Sequence, residues 1–157
     1  MKLTRTVSYA LQATLLLARS KSDGPIPCNE LAARGKMPER FLLQILRSLV
    51  AHGVLESTRG VEGGYMLGRP AKEISLLDVI EAIDGPLLPI LPAGGGLHAQ
   101  SRAKLKRALA TVTAATCREL ETVKLSHLLP DRRKRTAPGR KAPARGARSG
   151  RLRKTHR

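Results

Sequence analysis

Apolar residues recur at the helical period over three stretches of the first 85 positions, each bounded by turn-forming residues. Over residues 3–19, Leu3, Val7, Ala10, Leu11, Thr14, Leu17 and Ala18 share one face, which predicts a helix with Thr4 as its N-cap. Asp23-Gly24-Pro25 breaks it. A short helix follows over 27–34, with Gly35 as its stop, and a longer one over 38–52, stopped by Gly53. In the longer helix the row Phe41, Ile45, Leu49 lies beside the row Leu42, Leu46, Val50, a broad stripe that predicts burial, Phe41 included. Tyr9 is expected to pack with its hydroxyl at the edge of the core.

A short and a long helix joined by Gly35-Lys36-Met37 have the layout of a helix-turn-helix. The pattern then changes period. Residues 54–58 read as a strand, 60–64 as a glycine-rich turn and 65–67 as the return strand. A hairpin directly after a recognition helix is a wing. Ser75 and Asp78 have the spacing of a capping box, and the helix they open ends at Gly85-Pro86. A proline- and glycine-rich loop over 86–96 leads to a last long helix over 101–128. Its row Leu105, Leu109, Val112, Thr116, Leu120 and Val123 reads as a dimerisation face. The fold class expected is mainly α with a small β-hairpin wing (α+β), a winged helix-turn-helix plus a long C-terminal dimerisation helix. The expected division is a DNA-binding domain over 1–85, a loop over 86–100, a dimerisation helix over 101–129 and a tail over 130–157.

Charge adds a partner to this picture. The 157 residues carry 29 Lys and Arg against 12 Asp and Glu, a net +17. Such self-repulsion points to a polyanion, with nucleic acid the first candidate and an anionic membrane surface the second. Twelve of the basic residues and one acid fall in 131–157, which gives that stretch +11 and leaves +6 for the rest. With Leu152 its only large apolar residue, this stretch is expected to be a disordered basic tail that anchors non-specifically to DNA. Six phosphate contacts from it would steepen the salt dependence of binding by about five units. The apolar runs at 15–17 and 87–92 fall far short of the roughly 18 residues of a spanning helix, and no signal peptide is read at the N-terminus. Two cysteines in unlike contexts argue for a reducing compartment, so the expected location is cytoplasmic, on the nucleoid. One Phe, two Tyr and no Trp leave little for base-stacking platforms.

The chemistry-bearing residues favour recognition over catalysis. Arg40, Gln44 and Arg47, four and then three apart, share a row opposite the apolar stripe of the 38–52 helix, next to Ser48. Arginine pairs bidentately with guanine and glutamine with adenine. Lys2, Thr4 and Arg5 are placed to meet phosphates, which position a protein without specifying sequence. Gly60, Gly63 and Gly64 suit a tight hairpin and form no P-loop, since no Lys-Ser/Thr follows. Cys28 and Cys117 read as small buried hydrophobes. His52, His98, His127 and His156 show no ligand spacing, and no nucleophile, base and orienting group assemble. No enzyme activity, metal or cofactor is expected.

Three segments carry a resemblance. The opening Met-Lys-Leu-Thr with Tyr9-Ala10, the run Phe41-Leu42-Leu43-Gln44-Ile45-Leu46 with Leu49, and above all Arg59-Gly60-Val61-Glu62-Gly63-Gly64-Tyr65-Met66-Leu67 resemble the Rrf2 (IscR-like) family of winged-helix regulators. Residues 74–80 and Asp84-Gly85-Pro86 extend the similarity, which covers about residues 1–128. The resemblance implies a homodimer on a palindromic operator, with Arg59 in the minor groove, where narrow A·T tracts attract arginine. The DNA-contacting set it implies, together with the residues above, is Lys2, Thr4, Arg5, Pro38, Glu39, Arg40, Leu43, Gln44, Arg47, Arg59, Gly60, Gly63, Gly64 and Tyr65. Two departures stand out. Leu43 replaces an acidic operator-reading residue. The loop at 87–98 lacks the three cysteines that cluster-bearing members place there, so a member without a cluster is implied.

Four functions compete on this reading: a sequence-specific dimeric repressor, a nucleoid-type coating protein driven by its tail, a regulator relaying a signal from a partner enzyme docked on 87–91, and, most distantly, an enzyme. A small-molecule or protein effector goes with the first.

Overall fold

The computed structural model describes residues 3–20, 24–89, 96 and 98–130. The basic tail, Lys2 and most of the 90–97 loop lie outside the described residues. Thr4 caps the first helix, α1 (Arg5–Arg19), as expected: its backbone is extended and its hydroxyl oxygen accepts the Val7 N–H at 3.2 Å. The face α1 buries carries Val7, Ala10, Ala13, Thr14 and Leu17. Thr14 is tolerated there because its hydroxyl donates to the Leu11 carbonyl at 3.0 Å.

The second helix, α2 (Cys28–Gly35), corrects the reading of Gly35 as a stop. Gly35 is the last helical residue and is buried, while Lys36 takes the left-handed cap at φ 51. A β-carbon on Gly35 would press into the Met37 side chain and come within 3.3 Å of Leu16. A larger residue there would have to displace the end of the Met37 side chain, and the Gly35 carbonyl accepts from Gln12 Nε2 at 2.8 Å. The third helix, α3 (Glu39–Ala51), buries Leu42, Ile45, Leu46 and Leu49 against α1 and α2. Phe41 is a second correction. It is 37% exposed in the first turn of α3, with the Tyr9 ring against it edge-on, ring centroids 5.9 Å apart.

Strands β1 (Leu55–Thr58) and β2 (Gly64–Leu67) pair antiparallel, Leu55 opposite Leu67 and Thr58 opposite Gly64. Only Leu55 is fully buried in β1; Glu56, Ser57 and Thr58 are exposed on both faces as the hairpin leaves the core. The outer edge of β2 is covered by a contact the sequence reading missed. Ile26 and Tyr65 exchange both backbone hydrogen bonds, each at 2.9 Å. Ile26 lies between Pro25 and Pro27, and a residue before proline favours an extended backbone, so the signal was present.

Ser75 and Asp78 form the capping box of α4 (Leu76–Asp84), with Asp78 N–H to Ser75 Oγ at 3.0 Å and Ser75 N–H to Asp78 Oδ2 at 2.7 Å. The last helix, α5 (Ala99–Thr122), is shorter than predicted. Val123 is extended, Lys124 bridges Ser75, and a 3₁₀ turn over Leu125–Leu128 sends the fully buried Leu125 into the core beside Ile74. The reason is tertiary: Leu125 gains a buried site only if the helix ends before it.

Candidate nucleic-acid interface

The face of α3 opposite its buried residues presents Arg40, Gln44 and Arg47, all exposed. Among the described residues no ion pair engages Arg40, Arg47 or Arg59, whereas Glu30 pairs with Arg34 and Asp78 with Arg69. Three guanidiniums are therefore left for an external anion, and Arg40 and Arg47 flank a glutamine amide that can both donate and accept. Pro38 occupies the N-cap of α3 without a side-chain cap, and Glu39 lies in the first turn, where a carboxylate suits the helix dipole. Both are exposed, whereas Leu43 is half-buried.

The wing follows α3 directly. Arg59 and Gly60 are exposed at its turn, which Gly63 N–H closes on the Gly60 carbonyl at 3.0 Å. Gly60 has φ 117, a conformation side chains disfavour. Gly64 has a different reason: a β-carbon there would meet the Ile26 carbonyl oxygen at 2.5 Å and Pro27 N at 2.8 Å. A β-carbon on Gly63 would crowd the Gly60 carbonyl at 2.9 Å. Gly63, Gly64 and Tyr65 are half-buried, and the main chain of Tyr65 holds Ile26, so these three shape the wing rather than present it. The crest is Val61, 105% exposed, followed by exposed Glu62. The sequence reading absorbed both into the turn.

Thr4 and Arg5 are exposed at the start of α1. The Thr4 hydroxyl is already engaged: besides accepting from Val7 it donates to the Asp84 carboxylate, 3.4 Å from each oxygen, which ties the start of α1 to the end of α4.

On α5 the predicted row divides. Leu109, Thr116, Leu120 and Val123 are half-buried within one chain, whereas Leu105 and Val112 are 39% and 63% exposed. No residue of this 24-residue helix is fully buried. Leu105, Ala108, Val112 and Ala115, spaced three, four and three, form an exposed small-apolar stripe.

The family model described as an iron-dependent transcriptional regulator, Rrf2, matches residues 3–131. The chain belongs to the Rrf2 family. Among this Rrf2 chain's relatives, a helix-turn-helix transcriptional regulator of Mycobacterium tuberculosis strain H37Rv is 40% identical over 96 residues, 61% of this chain and 60% of the relative. The IscR regulator of Photorhabdus laumondii is 37% identical over 84 residues, 54% of this chain and 51% of that one. The match thus spans between half and three fifths of the length of these two relatives. The solved structure of CymR, the global cysteine regulator of Bacillus subtilis, superposes with a TM-score of 0.65 at 26% identity, covering 82% of this chain and 95% of CymR. These relatives are transcriptional regulators and not enzymes, and the winged-helix architecture is common to them and the Rrf2 chain described here.

The iron in the family's description can be tested against the donors present. Iron–sulfur clusters are held mainly by thiolates. This Rrf2 chain has two cysteines, Cys28 at the start of α2 and Cys117 within α5, and none over 85–98. Among the described residues no three His, Cys, Asp or Glu side chains group as a metal site. Burial, and then the Glu39 charge, push the Cys28 thiol above its ordinary pKa, and its Sγ sits 3.9 Å from the Glu39 carbonyl. The donor set does not fit a cluster.

Proposed function

We propose that the chain is a sequence-specific DNA-binding regulator that acts as a homodimeric repressor on a palindromic operator, without an iron–sulfur cluster. The observation that carries this reading is the pairing of two exposed cationic elements on consecutive pieces of chain. Arg40, Gln44 and Arg47 stand on α3, and Arg59 stands on the hairpin that follows it. A recognition helix in the major groove with a wing on the neighbouring minor groove uses both. Pro38, Glu39 and Leu43 line the start of the helix, Gly60, Gly63, Gly64 and Tyr65 build the wing, and Lys2, Thr4 and Arg5 meet the phosphates. The exposed stripe on α5, with Leu109, Thr116, Leu120 and Val123 beside it, supports dimerisation, and two copies would set half-sites about one helical turn apart. The 86–100 loop, with Leu88 68% exposed, is where an effector or partner protein would act. The +11 tail adds sequence-independent affinity.

The test is footprinting of the full chain on genomic fragments at near-physiological salt. Discrete symmetric protection supports the reading. Uniform coating that collapses with salt and with removal of 131–157 replaces it with a nucleoid-coating function.

A further inference from the structure

The wing crest is built differently from its base. From Arg59 to Gly63 the chain turns on a positive-φ glycine, and Gly63 N–H closes the turn on the Gly60 carbonyl. At that crest stands Val61, 105% exposed, the most exposed large hydrophobic residue of the described chain. A β-branched side chain with restricted χ1, carried clear of its own protein on that turn, presents an apolar knob. Two residues away is the Arg59 guanidinium, without an ion pair among the described residues, and next to it is the Glu62 carboxylate. Val61 and Arg59 together suit a surface with apolar walls and a negative floor. The DNA minor groove has both, in its deoxyribose sides and the base acceptors below, and the phosphates on its lips repel Glu62.

We propose that Val61 is a specificity-determining residue, a wedge that packs its two methyl groups against the sugar walls of a narrow minor groove beside Arg59, while Glu62 is held outside by the phosphates and limits how deep the wing enters. This rests on the DNA-binding reading above. It adds to it that discrimination in the minor groove is partly apolar: a groove widened by G·C pairs, and obstructed by the guanine amino group, loses contact with Val61 as well as with arginine.

The experiment uses the full chain and the tightest duplex that it selects from a randomised library. That duplex is also made with the wing-facing A·T pairs replaced by G·C, or by inosine·C, which lacks the amino group and keeps the A·T minor-groove pattern. Removing two buried methyl groups corresponds to about a tenfold loss of affinity, so Val61→Ala is expected to weaken binding by about that factor. It is also expected to shrink the penalty of the G·C duplex while leaving the inosine duplex near the A·T one. Glu62→Gln is expected to tighten binding several-fold. If Arg59→Ala weakens binding and Val61→Ala does not, the regulator stands and the wedge is overturned. If Val61→Ala weakens A·T, inosine and G·C duplexes equally, the wedge is likewise overturned. If the full chain selects no preferred duplex, the regulator reading fails and the wedge with it. An unchanged circular dichroism spectrum and dimer mass for each variant separate these results from misfolding.

Discussion

Ile74 accepts the Leu125 N–H at 2.9 Å, and the side chains of both are fully buried. Beside that bond, Leu76 donates to the Val123 carbonyl, also at 2.9 Å. The chain leaving α5 is thereby stitched to the segment that opens α4.

Leu125→Ala should therefore cost about 2–4 kcal/mol of stability, the usual loss for a buried leucine. Urea unfolding of the variant against the parent measures it. A loss under about 0.5 kcal/mol would mean that the turn after α5 does not belong to the core.

The capping box titrates. Partial burial raises the Asp78 carboxyl, but the Ser75 backbone and hydroxyl bonds, followed by Arg69, outweigh it and hold the group below the ordinary carboxylate range. Its contribution is thus present above the unfolded value of about 3.9 and disappears as pH falls through the lower folded value. Asp78→Asn should flatten the acid side of the stability profile. Ser75→Ala should cost about 1 kcal/mol near neutrality in thermal or urea melts.

Gly64→Ala should loosen the wing and cost stability together, because its β-carbon meets the backbone of Ile26, which shares one buried cluster with Leu55 and the helical leucines. Thermal melts of the variant are expected to shift down and DNA affinity to fall at least tenfold, with helical circular dichroism retained below the melt. An unchanged melt with full affinity would mean that β2 separates from Ile26 at no cost.

Arg47→Ala and Arg59→Ala separate the roles of helix and wing. A base-reading arginine should cost about 1–3 kcal/mol and relax preference at one position, whereas a phosphate contact weakens all sequences alike and lowers the salt slope by about one. Binding titrations on matched and mismatched duplexes across salt distinguish the two.

Cys28 should alkylate more slowly than a free cysteine at neutral pH, since burial and Glu39 disfavour its thiolate. Labelling rates followed by mass spectrometry, with Cys117 as the internal comparison, check this. Labelling at Cys28 as fast as a free cysteine would show that neither burial nor Glu39 holds its thiol protonated.

Most of the architecture could be read before any coordinates because it is local chemistry. Periodic apolar rows, the Thr4 cap, the Ser75–Asp78 box and the positive-φ Gly60 of the wing turn each act over a few residues, and the helices and hairpin appeared where these signals lie. The cationic row Arg40, Gln44, Arg47 followed from the same periodicity, since residues opposite a buried stripe must face out. Contacts between distant segments were decided only by the fold. Pro25 and Pro27 mark Ile26 as extended, but only the fold pairs it with Tyr65. Gly35 looks like a stop until the fold buries it beside Met37 and Leu16, and Phe41 belongs to an apolar row yet stays 37% exposed against the Tyr9 ring. The dimer row reads as one stripe in sequence, but α5 packs on α4 along part of it and leaves Leu105 and Val112 outside. Local signals choose elements because their energies arise within a turn or two of chain. Which apolar face is covered, and by what, depends on packing between segments far apart in sequence, and only the assembled tertiary structure supplies those partners.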